Sequence, residues 1–338
     1  MANVPLVFAG CDTWDRSHPL IDGVVRPAGI DLTYVVVEPG DLFRRMFQYA
    51  EFESSEMSTS TLMAMISRGD DRLIGVPVFP SRSFRHGYVF VGDRAGIERP
   101  QDLAGKRVGV PEYQMTAAVW IRAFLEHDFG VKSAEIEWFE GGFDAPGYSE
   151  RMPMQLSGGI RLSVIPGDKS LLGMLGNGEL HAVTCATRPK TFDKPNPGFH
   201  RLFPNYREIE KEYFLRTGFF PIMHLVVVRR DVYERHRWIP NALIEAFSRA
   251  RDYGWQRLRE SSWLTVSLPW IQSHVEEIQD VFGGHPFPYG FEANYATLKA
   301  LTEYSFEQGL STRKLEPEEI FATETLTSPA NTGSGGTT

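Results

Sequence analysis

A short basic cluster, Arg82, Arg85 and His86, contains the residues of this sequence best suited to bind an anion. Arginine presents a planar pair of N–H donors that fits a carboxylate, and histidine changes its charge near neutral pH. If residues 82–90 are extended, Arg82 and His86 share one face of a strand and Arg85 points to the other face. The cluster therefore predicts a carboxylate-binding site, with a solvated basic turn or a structural ion pair as the alternative.

A polar segment follows the first apolar run, Val4 to Ala9, which is typical of a buried strand. Asp12 and Trp14 belong to this segment. In open α/β sheets, ligands bind beyond the carboxyl ends of the strands, so both residues are candidate ligand contacts. The adjacent Asp15 and Arg16 are explained more simply as a salt bridge that holds the loop.

Two further residues are candidates, Glu56 for binding a ligand hydroxyl and His224 for carrying a proton. Glu56 ends a predicted strand, where its carboxylate could accept a ligand hydroxyl. Capping of the next helix by Ser58 and Thr59 is the other explanation for the polar character of this segment. His224 lies among apolar residues on a predicted strand, and such a histidine is as readily a buried core residue as a catalyst.

Glu112 to Thr116 lie between a predicted strand and a predicted helix. Backbone N–H groups are free at the start of a helix and attract anions there. Taken by itself, Glu112 is most simply a helix cap. The position nevertheless makes this segment a candidate part of a binding site.

Several established kinds of site are excluded by motif. The sequence has no dinucleotide-binding glycine loop, no phosphate-binding Walker loop, no nucleophile elbow and no His-Glu-x-x-His metal motif. Two cysteines, Cys11 and Cys185, cannot form a disulfide framework or a cysteine-rich metal cluster, and we expect both to be buried thiols. The nine histidines are scattered, so a metal site would require ligands from distant segments.

The composition points to a folded protein that binds neither nucleic acid nor membranes. The chain has 338 residues and a net charge of −8, with 35 basic and 43 acidic side chains. Partners with a phosphate surface need a basic face, which this balance does not favour. The apolar runs are far too short to span a bilayer. The N-terminal residues lack the pattern of a secretory signal, so we expect a cytoplasmic protein.

The elements that must position these residues alternate between strand and helix, which indicates a mainly parallel sheet covered by helices. In the first part, strands are predicted at Val4–Ala9, Ile30–Val37, Glu53–Met57 and Arg72–Phe79, and helices at Ser58–Ile66 and from Pro39 onward with Asp41 as its cap. In the second part, strands are predicted at Val108–Val110, Ile136–Phe139 and Leu180–Cys185, and helices at Thr116–Asp128 and Lys169–Leu175, the latter capped by Asp168. A strand at Phe219–Val228 and several helices complete the chain.

Two extended segments, Phe79–Val91 and Gly218–Val228, bracket the second α/β part. This order predicts one domain interrupted by another, with ligands bound in the cleft between them. The predicted divisions are a first lobe of residues 1–84 and 225–327, a second lobe of residues 85–224, and a disordered tail of residues 328–338.

Four stretches of the sequence resemble a known family: Phe79-Pro-Ser-Arg-Ser-Phe-Arg-His, Val110-Pro-Glu-Tyr-Gln-Met-Thr-Ala-Ala-Val-Trp, Arg216-Thr-Gly-Phe-Phe-Pro-Ile-Met-His and Tyr304-Ser-Phe-Glu-Gln-Gly-Leu-Ser. They are similar to the 4,5-dihydroxyphthalate decarboxylases, and the likeness extends from about Leu6 to Phe321. The resemblance implies an α/β, two-lobed, type II periplasmic-binding-protein-like fold. Its expected features are a mixed, mainly parallel sheet flanked by helices in each lobe, two hinge strands, and C-terminal helices packed on the first lobe.

The resemblance also implies an activity, the non-oxidative decarboxylation of 4,5-dihydroxyphthalate to 3,4-dihydroxybenzoate and CO2. Such chemistry needs an acid for the ring carbon, an acceptor for a ring hydroxyl and a cation for the remaining carboxylate. We therefore expect His224, His86 and Glu112 to handle protons. We expect substrate contacts from nine residues, namely Arg82, Arg85, Tyr113, Gln114, Thr116, Arg188, Glu56, Asp12 and Trp14.

Two other functions remain open on the sequence. The chain could be a solute-binding protein that holds an aromatic carboxylate without converting it, or a decarboxylase of a different hydroxybenzoate. Because one scaffold can support both binding and catalysis, the fold does not decide between them. We expect no cofactor, with a divalent metal ion on the catechol oxygens as the alternative. The expected partners are a small aromatic dicarboxylate and further copies of the chain in a homo-oligomer.

Overall fold

The computed structural model describes residues 2–147, 152, 156 and 158–327, and the chain forms two compact units. The first unit contains the residues up to Arg82, Ile222–Lys299 and the residues from Glu316 onward. The second unit contains Ser83–Pro221 and Ala300–Leu315. The predicted tail, residues 328–338, lies outside the described residues.

The assignment of residues 300–315 differs from the prediction, which placed them in the first lobe. In the structure they belong to the second unit. The amide of Gln308 donates to the carbonyl of Val119 at 3.0 Å, and its carbonyl oxygen accepts from Arg122 Nε at 2.8 Å. Arg122 is almost fully buried, so these polar contacts satisfy groups that no water reaches. The apolar periodicity of the segment did not show which unit it packs against.

The strands of the described residues, in chain order, are β1 (Val4–Gly10), β2 (Ile30–Val36), β3 (Ser54–Ser58), β4 (Leu73–Arg82), β5 (Val89–Gly92), β6 (Arg107–Val110), β7 (Glu137–Glu140), β8 (Arg161–Val164), β9 (Ala182–Thr184), β10 (Phe199–Arg201) and β11 (Ile222–Arg229). The α-helices are α1 (His18–Ile21), α2 (Pro39–Tyr49), α3 (Thr59–Ser67), α4 (Thr116–His127), α5 (Leu171–Gly176), α6 (Tyr206–Thr217), α7 (Arg230–Arg235), α8 (Ile239–Leu258), α9 (Ile271–Phe282) and α10 (Tyr295–Glu307). Among the described residues, no helix is long and apolar enough to cross a membrane.

The sheet of the first unit has the strand order β2-β1-β3-β11-β4. β1 runs parallel to β2 and β3, whereas β11 runs antiparallel to β3 and β4. The carboxyl ends of β1 to β4 therefore meet the amino end of β11 at one edge. Ligands of open α/β sheets bind at such an edge.

The sheet of the second unit has the strand order β10-β5-β9-β6-β7-β8. β6 is parallel to β7 and β9, and β8 is parallel to β7. β5 is antiparallel to β9 and β10. Both sheets are thus mixed, as the resemblance implied.

Two predicted helix caps were wrong. The carboxylate of Glu38, not Asp41, caps α2, where it accepts from the backbone N–H of Asp41 at 3.0 Å. The hydroxyl of Ser170, not Asp168, caps α5 and accepts from the N–H of Gly173. In both cases the cap lies at the residue where the backbone turns from extended to helical, and several polar residues nearby offered the same signal.

The predicted extended segment at residues 79–91 is also wrong in its middle. β4 ends at Arg82, and His86–Tyr88 form a 3-10 turn before β5 begins. The backbone of Arg85 has φ −131° and ψ 1°, which is not a strand conformation. A Cβ atom at Gly87 would lie 2.9 Å from the ring of Tyr206, so the chain packs closely at this turn. Arg82 and His86 therefore do not share a strand face.

A test of the packing between β4 and the C-terminal segment is Gly75→Ala. A Cβ at Gly75 would lie 2.7 Å from the backbone oxygen of Ile320, and the backbone there cannot move as a side chain can. We expect the free energy of unfolding to fall by about 1–3 kcal/mol, as for other overpacked sites. The control is Gly176→Ala at the end of α5, where a Cβ meets nothing within 4 Å. Equal denaturation midpoints for the two variants would contradict this account of the packing.

Candidate active site

Glu56 lies at the centre of a hydrogen-bonded cluster at the edge of the first sheet. It is on β3, and its side chain is fully buried. Its Oε1 accepts from the backbone N–H of Cys11 at 3.1 Å and from Trp14 Nε1 at 3.1 Å. Its Oε2 lies 3.2 Å from His224 Nδ1. Both oxygens of a buried carboxylate are therefore bonded to nitrogen atoms, which come from two other segments, the loop at residues 11–14 and β11.

His224 is held at one ring nitrogen and open at the other. It lies near the start of β11, in register with Ser58 of β3. Its ring packs edge-on against Phe43 of α2, with the ring centroids 4.8 Å apart. The side chain is 18% exposed, and Nε2 has no hydrogen bond to any described residue. The imidazole is therefore fixed in orientation and presents Nε2 to a ligand.

The charges in this cluster follow from burial and contact. Burial alone would raise the pKa of Glu56, but the hydrogen bond and charge of His224 and the N–H groups of Cys11 and Trp14 outweigh it. The pKa of Glu56 therefore lies below its usual value, and the carboxylate is ionised at neutral pH. Burial, reinforced by the charge of Glu56, raises the pKa of the Cys11 thiol far above its usual value, so this thiol stays protonated.

The same three residues have the atom types of a metal site. A thiol sulphur of Cys11, a carboxylate oxygen of Glu56 and Nδ1 of His224 lie within 4.8 Å of one another. Such a set suits zinc once the thiol is deprotonated. A bound ion would have to displace the His224–Glu56 hydrogen bond and remove a proton from Cys11. The three residues already contact one another through hydrogen bonds, so we interpret them as a hydrogen-bonded cluster rather than as a metal site.

Arg16 is a residue whose importance the sequence did not show. Its guanidinium lies between two rings, with its central carbon 4.6 Å from the centroid of Trp14 and 4.5 Å from that of Phe287. Nε donates to the carbonyl of Pro80 at 2.5 Å, and Nη1 contacts Asp15 at 3.0 Å. Nη2 has no bond to any described residue. The positions of Trp14 and Arg16, two residues apart, were a possible signal, because an aromatic ring often stacks on a guanidinium.

Arg82 occupies a different environment from the one predicted. It ends β4 and is buried, and its Nη2 donates to Asn294 Oδ1 and to the carbonyl of Pro288. Its guanidinium also lies over the ring of Phe79 at 5.1 Å. Burial lowers its pKa to about 9. The structure thus uses Arg82 to hold residues 288–294, and its binding of a substrate carboxylate stays a prediction.

A buried phenol, Tyr289, lies within the segment 288–294 that Arg82 holds. Its hydroxyl makes no hydrogen bond within the described part of the chain. Burial raises its pKa to about 12, against the opposing charges of Arg16 and Arg251. The hydroxyl is therefore protonated at neutral pH and is a potential donor close to the cations of this edge.

His86 and Arg85 lie in the second unit. Arg85 donates from Nη1 to the carbonyl of Ala186 at 2.7 Å and lies over the ring of Tyr88. His86 stacks on Phe124 with centroids 4.1 Å apart, and two further aromatic rings pack edge-on against it, those of Phe203 and Tyr213. Burial and the charge of Arg216 lower the pKa of His86 to about 4. The imidazole is neutral at pH 7, and its role as a proton carrier stays a prediction.

Because His86 is buried and neutral, we expect the folding stability to fall at acid pH, and a substitution of His86 should reduce this fall. Between pH 6.5 and 4, the unfolded chain binds a proton at His86 and the folded chain does not, so stability falls as the pH falls through this range. The pKa difference corresponds to about 3 kcal/mol of unfolding free energy. We expect His86→Phe, which fits the aromatic surroundings, to lose less stability than the unchanged protein between pH 6.5 and 4.5.

Urea denaturation at the two pH values measures this difference. Glu210, whose Oε1 lies 3.9 Å from His86 Nδ1 and whose pKa burial raises to about 7, is present in both proteins and titrates in the opposite sense. Equal acid sensitivity of the two proteins would show that His86 is not held neutral. The turnover of the same variant tests the predicted catalytic role of His86.

The segment after β6 is placed as predicted between a strand and a helix, but Glu112 is not the residue at the N-cap position of that helix. The residue at the N-cap of α4 is Met115, whose N–H donates to the carbonyl of Glu112. Tyr113 is fully buried, and its hydroxyl bonds to Ser133 Oγ at 2.8 Å. Its ring also receives the guanidinium of Arg122 at 3.7 Å. Tyr113 therefore belongs to the interior of the second unit rather than to an open binding surface.

The remaining predicted contacts are dispersed. Gln114 and Thr116 are buried near the start of α4. Arg188 is exposed and pairs with Asp193 at 2.6 Å. Asp12 is exposed, and its Oδ1 accepts from the N–H of Thr13. Of the predicted site residues, the structure brings Trp14, Glu56 and His224 into one cluster of the first unit, next to Asp12. The substrate-binding and catalytic roles of the whole set stay predictions.

Comparisons with known proteins agree with this architecture. No family model matches the chain. It is 37% identical over 315 residues to a 4,5-dihydroxyphthalate decarboxylase of Comamonas testosteroni, covering 93% of this chain and 96% of that protein. It is 39% identical over 188 residues to a second protein of that name from Pseudomonas putida, covering 56% of this chain and 73% of that one.

Among solved structures, the periplasmic aliphatic sulphonate binding protein SsuA from Escherichia coli matches with a TM-score of 0.55 and 13% identity, covering 97% of this chain and all of that one. At this identity the match shows the fold alone, and it confirms the predicted periplasmic-binding-protein-like fold. The match to the Comamonas protein is both extensive and above 30% identity. The chain therefore belongs to the 4,5-dihydroxyphthalate decarboxylase family.

Proposed function

We propose that the chain is a carboxy-lyase that converts 4,5-dihydroxyphthalate to 3,4-dihydroxybenzoate and CO2. Two relatives are named for this substrate, and one of them matches almost the whole chain. The observation in the structure that carries the proposal is the imidazole of His224. One of its nitrogens contacts an ionised buried carboxylate and the other is open, as a proton carrier requires.

The reaction itself defines what the site must supply. Direct loss of CO2 would leave an aryl carbanion, which is very unstable. Addition of a proton to the ring carbon that bears the carboxylate avoids this, because a hydroxyl para to that carbon donates its electrons into the ring. The carbon–carbon bond then breaks, its electron pair restores the aromatic ring, and CO2 leaves. In the net reaction one carboxylate and one proton become one C–H bond and one CO2.

The first unit supplies groups for these steps. His224, protonated at Nε2, delivers the proton to the ring carbon. Arg16, held rigid between Trp14 and Phe287, offers its free Nη2 to the carboxylate that remains on the ring. A fixed guanidinium needs little further ordering when the ligand binds, which favours affinity. We also propose that this chemistry needs no cofactor, since the proton and the electron pair come from the protein and the substrate.

The test is to incubate the purified chain, treated with a chelator, with 4,5-dihydroxyphthalate and to measure CO2 and 3,4-dihydroxybenzoate. We expect the two products in equal amounts, and no loss of turnover after chelation. Binding of the dicarboxylate without release of CO2 would support a solute-binding protein instead, which is how its structural relative SsuA is named. Turnover that disappears on chelation and returns with a divalent ion would contradict cofactor independence.

A further inference from the structure

We propose that Glu56 is a positioning residue that keeps a proton on Nδ1 of His224, so that Nε2 is the nitrogen that exchanges a proton with the ligand. This inference deepens the proposed function and rests on it for its catalytic consequence. Its structural part, the position of a proton on one imidazole, is testable without turnover.

The hydrogen bonds of Glu56 fix the roles of both partners. The backbone N–H of Cys11 and the indole N–H of Trp14 act only as donors, and both reach Oε1. Oε1 must therefore be an acceptor, as expected of an ionised carboxylate. Oε2 of Glu56 faces Nδ1 of His224 at 3.2 Å. If Nδ1 carried no proton, its lone pair would repel the lone pair of the carboxylate oxygen. The proton of this contact accordingly belongs to Nδ1, in the neutral imidazole and in the imidazolium.

The groups around this pair do not compete for the proton. The thiol of Cys11 lies 3.9 Å from Nδ1 and is kept neutral by its raised pKa. Burial also raises the pKa values of Tyr34 and Tyr289, the two phenols on which the negative charge of Glu56 acts, so both stay protonated. Glu56 is thus the ionised group that faces His224 within this cluster.

The arrangement explains why Glu56 does not suit the role predicted from sequence. A fully buried carboxylate with both oxygens engaged does not present an oxygen to a substrate hydroxyl. It acts instead through the imidazole. After Nε2 gives its proton to the ring carbon, His224 is left neutral with its remaining proton on Nδ1, and Nε2 is ready to take up the next proton from solvent or from the substrate hydroxyl.

The test is Glu56→Gln in the full chain, with the imidazole nitrogens followed by ¹⁵N NMR. The amide oxygen of glutamine keeps the donors Cys11 and Trp14, so its NH2 group must face Nδ1 of His224. We expect the neutral imidazole to change from the Nδ1–H to the Nε2–H form. The signal of His224 is identified by its loss in His224→Gln.

The kinetic expectation is a decrease in kcat of roughly 10²–10⁴-fold with KM changed by less than about threefold, since an imidazole in the wrong tautomer loses catalysis of this size elsewhere. Glu56→Asp, which keeps the charge, should keep the Nδ1–H form and recover part of kcat. The matched control is Glu53→Gln, which removes a carboxylate bonded to Val7 N–H outside the cluster and should alter neither readout.

Three results would overturn the inference: an Nε2–H imidazole in the unchanged protein, the same tautomer in Glu56→Gln as in the unchanged protein, or one tightly held zinc ion on Nδ1. If Glu56→Gln fails to fold, the unchanged protein and Glu56→Asp still report the tautomer. Failure of the proposed function has a different signature, because the NMR result would then be as expected while no CO2 is released by any of the proteins.

Discussion

His224→Gln is expected to lower kcat for decarboxylation by about 10²–10⁴-fold, the usual contribution of a positioned acid or base. Glutamine fills a similar space and can still accept or donate near Glu56, but it has no group that transfers a proton near neutral pH. Binding of the dicarboxylate should change by less than about threefold, because the adjacent carboxylate of Glu56 offsets the positive charge of the protonated imidazole. Steady-state kinetics and isothermal titration with the substrate measure the two quantities separately.

The control for this variant is His18→Gln, in the same unit. His18 is exposed and pairs with Asp22 at the protein surface, so we expect its substitution to leave kcat and binding unchanged. Circular dichroism should show that both variants retain the fold. A His224→Gln protein with the original turnover would remove His224 from the mechanism.

Arg16→Gln is expected to raise KM about 10- to 100-fold, because a hydrogen bond to a charged group contributes about 1.5–3 kcal/mol. The guanidinium is only slightly exposed and its orientation is fixed by Trp14 and Phe287. Glutamine removes the charge and the stacking but keeps the ability to donate to the carbonyl of Pro80. The loss should appear in KM and in the dissociation constant more than in kcat.

Two companion variants sharpen this prediction. Arg26→Gln removes an exposed arginine of the same unit and should leave KM unchanged. Arg82→Gln should lower the melting temperature, because it removes the buried contacts to Asn294 and Pro288. A KM that rises in Arg82→Gln but not in Arg16→Gln would assign the carboxylate to Arg82, as the sequence predicted.

Much of the fold could be predicted because its signal is local. The strand-like segments of the sequence predicted β1, β2, β3 and β4, and the polar residues that follow them indicated where ligands would bind. The reversed direction of β11 and its insertion between β3 and β4 were not accessible, because strand pairing is decided by contacts between distant segments. The resemblance of four sequence stretches to a known family made the fold class predictable although the strand pairing was not.

The candidate site was predictable in its members but not in their pairing. Glu56 was predicted as a substrate contact and His224 as a proton carrier, yet they are 168 residues apart and their contact depends on the pairing of β3 with β11. The pairing of Arg82 with His86 failed for a local reason, since the 3-10 turn at residues 86–88 ends the periodicity of a strand. Arg16 was overlooked because its neighbour Asp15 offered a simpler explanation.

The fold of this chain also occurs in a protein that is named for binding rather than for catalysis. The structural relative SsuA is named as a sulphonate binding protein, whereas the sequence relatives are named as decarboxylases. A fold of this kind supplies strand ends at which side chains from distant segments meet. In this chain, one such edge carries an ionised carboxylate beside an imidazole, which simple capture of an anion would not require.

The most direct test of ring protonation is the product formed from 4-hydroxyphthalate, in which only one carboxylate has a hydroxyl para to it. The account predicts 3-hydroxybenzoate as the sole product, since only that carboxylate lies on a ring carbon that the hydroxyl activates for attack by the proton. Formation of 4-hydroxybenzoate, or turnover of phthalate itself, would contradict it.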